Sequence, residues 1–199
     1  MTGTRGRLFV ISGPSGAGKG TVVRELLRRR PDLVLSVSAT TRPARAAERN
    51  GVHYHFVPVN EFLARRDSGG FLEWAEVYGN LYGTPRAPVD AARAAGRDVI
   101  AELDIQGATS VKRLLPDAVL VFIEPPSLDD LVLRLRRRGT ENPAALSQRL
   151  RAAYEEVKQK GLYDHIVVND DLEAAVGHLL RILEDPAGTD ATRGSHSSR

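Results

Sequence analysis

The chain has 199 residues, a formal net charge of +3 and no cysteine, a length that suits one α/β domain with small insertions and a composition that excludes disulfides, thiolate metal sites and a cysteine nucleophile. Acidic and basic residues alternate along most of the sequence, which argues against a nucleic-acid surface, and no apolar run approaches the roughly 20 residues that span a bilayer. The N-terminal apolar segment, interrupted by Gly13 and Pro14, is too short for a secretory signal, so a cytoplasmic protein is expected.

In chain order, residues 8–11 form the first short apolar run and 19–30 the first helix, with Val22, Val23, Leu26 and Leu27 at helical spacing. A second apolar run follows at 34–37. Residues 38–88 are richer in aromatics and in short alternating runs, which predicts a small antiparallel insertion with a helix near 59–66. Trp74 falls within it and is expected to pack in the core or the insertion, while His53 and His55 are expected to be structural or exposed. Further apolar runs at 98–103, 119–123 and 165–168 read as buried strands, and 127–138 as an amphipathic helix. Gly139 and Pro143 break the charged helical region after it into a small flap and a longer helix. The tail from 185 to 199 is almost without apolar residues and is expected to be disordered. Alternating strand and helix predicts a mostly parallel sheet with helices on both faces.

Between the first run and the first helix stands "GPSGAGKGT", with the Gly-x-x-x-x-Gly-Lys spacing of a phosphate-binding loop from Gly13 to Lys19. Glycines let successive backbone N–H groups turn toward an anion, and the helix N-terminus adds its partial positive charge. Gly13, Pro14, Ser15, Gly16, Ala17, Gly18 and Lys19 are therefore expected to hold a nucleoside triphosphate, Lys19 reaching its terminal phosphates. Gly20 replaces the usual hydroxyl that binds Mg²⁺, and Thr21 offers one a residue later. Such a site suits a metal held through water and substrate phosphates. Beyond the second run, Arg42 and Arg45 lie three apart near Tyr54, a combination able to clamp a phosphate dianion.

Seven segments in order, "GPSGAGKGT", "SVSATTRPAR", "NGVHYHF", "FLEWAEVYGNLYGTP", "LDIQGATSVK", "RLRRRGTE" and "IVVNDDLEAA", resemble guanylate kinase, and the resemblance runs from about residue 7 to 183. It implies a P-loop core with a five-stranded parallel sheet, made of residues 1–37 and 89–184, a small mixed GMP-binding insertion at 38–88 and a helical lid at about 138–149. The implied reaction is phosphoryl transfer from ATP, with Mg²⁺, to GMP and also dGMP, with no nucleic-acid or membrane partner. It puts Arg42, Arg45, Tyr54 and Tyr82 on the GMP phosphate, and Ser38, Glu73, Thr84 and Asp104 on the guanine. Arg134 and Arg138 are implied near the adenine and phosphates of ATP, with Arg149 reaching in from the helix after the lid, Asn169 and Asp170 near the adenine, and Glu102 as an outer-sphere partner of Mg²⁺. The scaffold-protein domains that also resemble this enzyme lack an intact phosphate loop, which Lys19 and its glycines supply here.

Overall fold

A computed structural model of the chain describes residues 4–77, 79–137 and 143–187. Its main sheet is five-stranded and parallel, in the order β2-β7-β1-β8-β9, from β1 (Leu8–Ser12), β2 (Val34–Leu35), β7 (Val99–Glu102), β8 (Val119–Glu124) and β9 (His165–Val168). All five residues of β1 are buried because it has neighbours on both edges and helices on both faces. Phe9 and Ile11 face the cluster formed with Val22, Leu26, Val176 and Leu179 of α1 (Lys19–Arg29) and α7 (Leu172–Glu184). Leu8 and Val10 point the other way, toward Val89 of α3 (Arg86–Ala94) and Ala108 and Val111 of α4 (Ile105–Leu114). One strand thus feeds two cores by simple alternation.

The second sheet has the order β4-β3-β6-β5, from β3 (Ala39–Thr40), β4 (His55–Phe56), β5 (Phe71–Val77) and β6 (Asn80–Pro85). Its β5–β6 and β3–β6 pairs are antiparallel and β3 and β4 run parallel, so the insertion is mixed, as the resemblance implies, where the alternating runs suggest antiparallel pairing. Those two strands are two residues long, too short for periodicity to show direction. The helix α2 (Val59–Asp67) closes this sheet with Phe62, whose ring stacks on Phe71 at 4.4 Å beside Ala39.

Trp74 is not a core residue: it is 47% exposed, with the Arg66 guanidinium 5.1 Å from its ring centre. Glu73, Ala75 and Val77 are half-buried while Trp74 and Glu76 are exposed, so alternation along β5 turns Trp74 outward. Leu72 is buried beside Phe71 where the pairing with β6 has a register irregularity.

The predicted helix at 127–138 appears as α5 (Leu128–Arg137), followed by α6 (Pro143–Lys158) and a short 3₁₀ turn, Gln159–Leu162. Residues 138–142 of the expected lid, and the tail from 188, lie outside the described residues. Among the described residues no helix is long and apolar enough to cross a membrane.

Candidate active site

The loop from Gly13 to Gly18 leaves the buried central strand and enters α1. Gly13 has φ 140° and runs so close to β8 that a Cβ would lie 2.1 Å from the Ile123 carbonyl oxygen. Gly18 caps α1 in the left-handed region, with no side-chain cap and no acidic residue in the helix's first turn. The positive end of α1 is thus presented to a ligand. Lys19 Nζ donates to the carbonyls of Gly13 at 2.6 Å and Pro14 at 3.2 Å, lying across its own loop.

Asn169, at the end of β9, donates from Nδ2 to the Ala17 carbonyl at 2.7 Å, and Arg134 Nη2 donates to the Asn169 carbonyl at 2.9 Å. Both therefore stand against the loop, with Asp170 exposed beside them. Ser15, Gly20 and Thr21 are exposed at the mouth. A Cβ on Gly20 would lie 3.6 Å from Glu102 Oε2, an ordinary contact, so glycine leaves open the space in front of that carboxylate.

On the second sheet, Arg42 donates through both terminal nitrogens to Glu48 at 2.9 Å each, and through Nε to Tyr82 Oη at 3.3 Å. Its guanidinium also lies 5.5 Å from the Tyr54 ring centre, and Tyr54 meets Tyr82 edge-on at 5.9 Å. Arg45 is exposed on the adjoining turn. The structure thus gathers Arg42, Tyr54 and Tyr82 into one corner, with the backbone of Arg45 tied beside it through Glu48. His53 is exposed and accepts from the Arg49 N–H through Nδ1, and His55 is half-buried in β4; neither enters this corner's hydrogen bonding.

Further along the cleft, Glu73 and Thr84 face each other across β5 and β6, the Thr84 hydroxyl donating to Glu73 Oε1 at 2.6 Å. Asp104 caps α4, accepting from the Gly107 N–H at 2.7 Å through Oδ1. A Cβ on Gly107 would stand 3.1 Å from Glu73 Oε2 and 3.3 Å from Asp104 Oδ1, so this glycine allows the two sheets' acids to meet. Ser38 is half-buried just before β3, its carbonyl accepting from His55. Arg138, and the side chain of Arg149, fall outside the described residues.

The guanylate kinase family model matches residues 5–186. The chain belongs to the guanylate kinase family. It is 50% identical over 179 residues to the guanylate kinase of Carboxydothermus hydrogenoformans, covering 90% of this chain and 88% of the relative. With that of Thermus thermophilus it shares 52% over 185 residues, 92% of this chain and 82% of the other. The crystal structure of guanylate kinase from Anaplasma phagocytophilum superimposes with a TM-score of 0.75 at 34% identity, covering 95% of this chain and 89% of that one.

Three acids in this guanylate kinase cleft have carboxyls pushed above the ordinary range, each chiefly by burial. Glu73 is opposed by the Thr84 hydroxyl and helped upward by Asp104. Glu102 is opposed by the positive charge of Lys19. Glu156 of α6 is opposed by Lys19 and by a hydrogen bond from the Ser15 backbone. A cavity of about 390 Å³ beside the cleft is lined by Asp104, Gln106, Arg113 and Glu156 among others. Glu48, Gly107 and Glu156 carry no sequence signal of their own: each is an ordinary polar or small residue whose partner is set by the fold.

Proposed function

We propose that one cleft binds ATP at the Gly13–Lys19 loop and GMP between the second sheet and α4, and that this guanylate kinase moves the γ-phosphoryl group between them by in-line displacement. The products are ADP and GDP. The acceptor is a phosphate oxygen that is already anionic near neutral pH, so the reaction needs no general base. Its rate comes from positioning and charge neutralisation.

Lys19 follows the migrating charge on the phosphates, and Arg134 supports it from α5, with Arg138 from the lid and Arg149 from α6 as further partners. Thr21 and the loop N–H groups hold the remaining phosphate oxygens, and Asn169 and Asp170 border the adenine. Arg42, Arg45, Tyr54 and Tyr82 hold the GMP phosphate; Ser38, Glu73, Thr84 and Asp104 meet the guanine. Guanine N1–H and its amine are donors and fit the Glu73 carboxylate, whereas O6 accepts from a hydroxyl. Adenine would leave Glu73 facing the wrong pattern.

Mg²⁺ arriving with ATP would supply neutralisation of phosphate charge at this site. Glu102 alone, across from Gly20, suits a Mg²⁺ that keeps its waters, and among the described residues no group of three or more metal-ligating side chains forms a cage. Lid and insertion close over the substrates and exclude water. The cysteine-free composition supports a cytoplasmic setting in purine nucleotide metabolism.

The observation that supports this reading most is the Glu73–Thr84 pair beside Asp104, at one end of a cleft that has an intact phosphate loop at the other. A coupled ADP-release assay with ATP and GMP, dGMP, AMP, UMP and IMP tests it. GMP is expected to have the highest kcat/KM; equal use of AMP or UMP would overturn the assignment.

A further inference from the structure

Arg42 has five N–H donors in a fixed planar fork, and the structure commits most of them. The two inner protons of the end-on edge go to Glu48, Nη1 to Oε2 and Nη2 to Oε1, both at 2.9 Å. The outer proton of Nη1 goes to the Pro43 carbonyl at 2.7 Å. What remains is the side edge, where Nε–H makes only a long 3.3 Å bond to the Tyr82 hydroxyl and the outer proton of Nη2 points the same way. The ion pair is sheltered, with the two side chains 15% and 16% exposed. Glu48 Oε2 also accepts from the Arg45 N–H at 2.8 Å, while the Glu48 N–H returns a bond to the Arg45 carbonyl at 2.9 Å. One carboxylate therefore ties together the guanidinium of Arg42 and the backbone that carries Arg45.

We propose that Glu48 is a positioning residue of the acceptor site, which holds the end-on edge of Arg42 so that only its Nε/Nη2 edge, beside Tyr82, is offered to the acceptor phosphate. The inference rests on the reading that this corner takes the phosphate of a nucleoside monophosphate. An acid this close to a phosphate site costs some repulsion. It is offset because the carboxylate fixes a side chain that would otherwise lose much rotamer freedom on binding. Arg42 answers by holding Glu48 strongly ionised: hydrogen bonds first from Arg42 and then from the Arg45 backbone bring its carboxyl down to about 2. The pair stays charged at any pH where the enzyme works.

The test is steady-state kinetics on wild type, Glu48→Gln and Glu48→Asp, each also combined with Arg42→Lys, whose ammonium has no edges to choose between. Glu48→Gln is expected to raise KM for GMP about tenfold or more while KM for ATP stays within about twofold, with Glu48→Asp recovering part of the loss. On the Arg42→Lys background the same Gln change should alter KM for GMP by less than about twofold. An unchanged KM for GMP, an equal rise for both substrates, or an undiminished penalty on the lysine background would overturn the proposal. If the Gln variant does not fold, the Asp variant is read by the same ratio of the two KM values. Should wild type prefer another nucleoside monophosphate, the assignment of guanine fails, yet the Glu48 test stands with that nucleotide as the varied substrate.

Discussion

Thr84 holds Glu73 by a 2.6 Å hydrogen bond from its hydroxyl to Oε1, and the two residues are register partners on β6 and β5. Burial pushes the Glu73 carboxyl up, and this hydroxyl is the main influence pulling it down. The form that accepts from guanine is the carboxylate, so activity toward GMP is lost as pH falls through the raised value. Removing the donor raises it further. Thr84→Val should therefore move the acid limb of kcat/KM for GMP to higher pH than in wild type. The ionisation of GMP itself is common to both profiles and cancels in the comparison; coincident limbs would mean that Thr84 does not hold the carboxylate.

Glu73→Gln preserves shape but turns one acceptor into a donor that faces a guanine donor. It is expected to lower kcat/KM for GMP by about 2–4 kcal/mol of transition-state binding. IMP lacks the exocyclic amine and has less to lose, so the preference for GMP over IMP should shrink. Measuring both nucleotides in both proteins decides it, and an unchanged ratio counts against Glu73 as the reader of the amine.

Lys19 lies across the loop on the carbonyls of Gly13 and Pro14, contacts that are local to the loop. Lys19→Ala should cut kcat by about two to three orders of magnitude, the loss typical of a group aimed at developing charge. The thermal midpoint should change little. Near-normal turnover in a folded variant would remove Lys19 from the chemistry.

Arg42 and Arg45 differ in what else they do. Arg42→Ala strands Glu48 and should lower both the thermal midpoint and the affinity for GMP, whereas exposed Arg45→Ala should raise KM for GMP with the midpoint unchanged. Neither should move KM for ATP by more than about twofold. A common rise in both KM values would place the two arginines elsewhere.

Gly13→Ala would force a Cβ to 2.1 Å from the backbone of β8 in a left-handed conformation. A loss of about 2–4 kcal/mol is expected in urea unfolding. A stability equal to wild type would show that the loop can move off the strand.

The inner core strands β7, β1 and β8 were readable because each is short, apolar and largely buried, and the edge strands β2 and β9 because their runs are apolar even where they are part-exposed. The phosphate loop was readable for a related reason: Gly13, Gly16 and Gly18 hold positive φ, and Gly13 also lies against the β8 backbone, so the spacing of glycines marks the loop. Trp74 stays in the insertion but not in a core, because it lies on the outward side of β5, where the Arg66 guanidinium covers its ring. The parallel pairing of β3 with β4 is fixed by what packs around Phe62 and Phe71, not by anything within two residues of strand. Glu48 was invisible because one acid among many arginines has no distinguishing spacing until the turn brings it back onto Arg42.

The position of β1 in the middle of the main sheet has a kinetic side. Its amides are shielded by a strand on either edge and a helical layer on either face, so they should be among the slowest in the molecule to exchange hydrogen with solvent, requiring near-global opening. The second sheet, where β3 and β4 are only two residues long and the apolar cluster is small, should open sooner and at lower cost. The phosphate loop grows directly from the slow element. A molecule whose acceptor half has come apart would therefore still carry a formed anion cradle, and triphosphate would protect the central strand of such a partly open state while GMP would not.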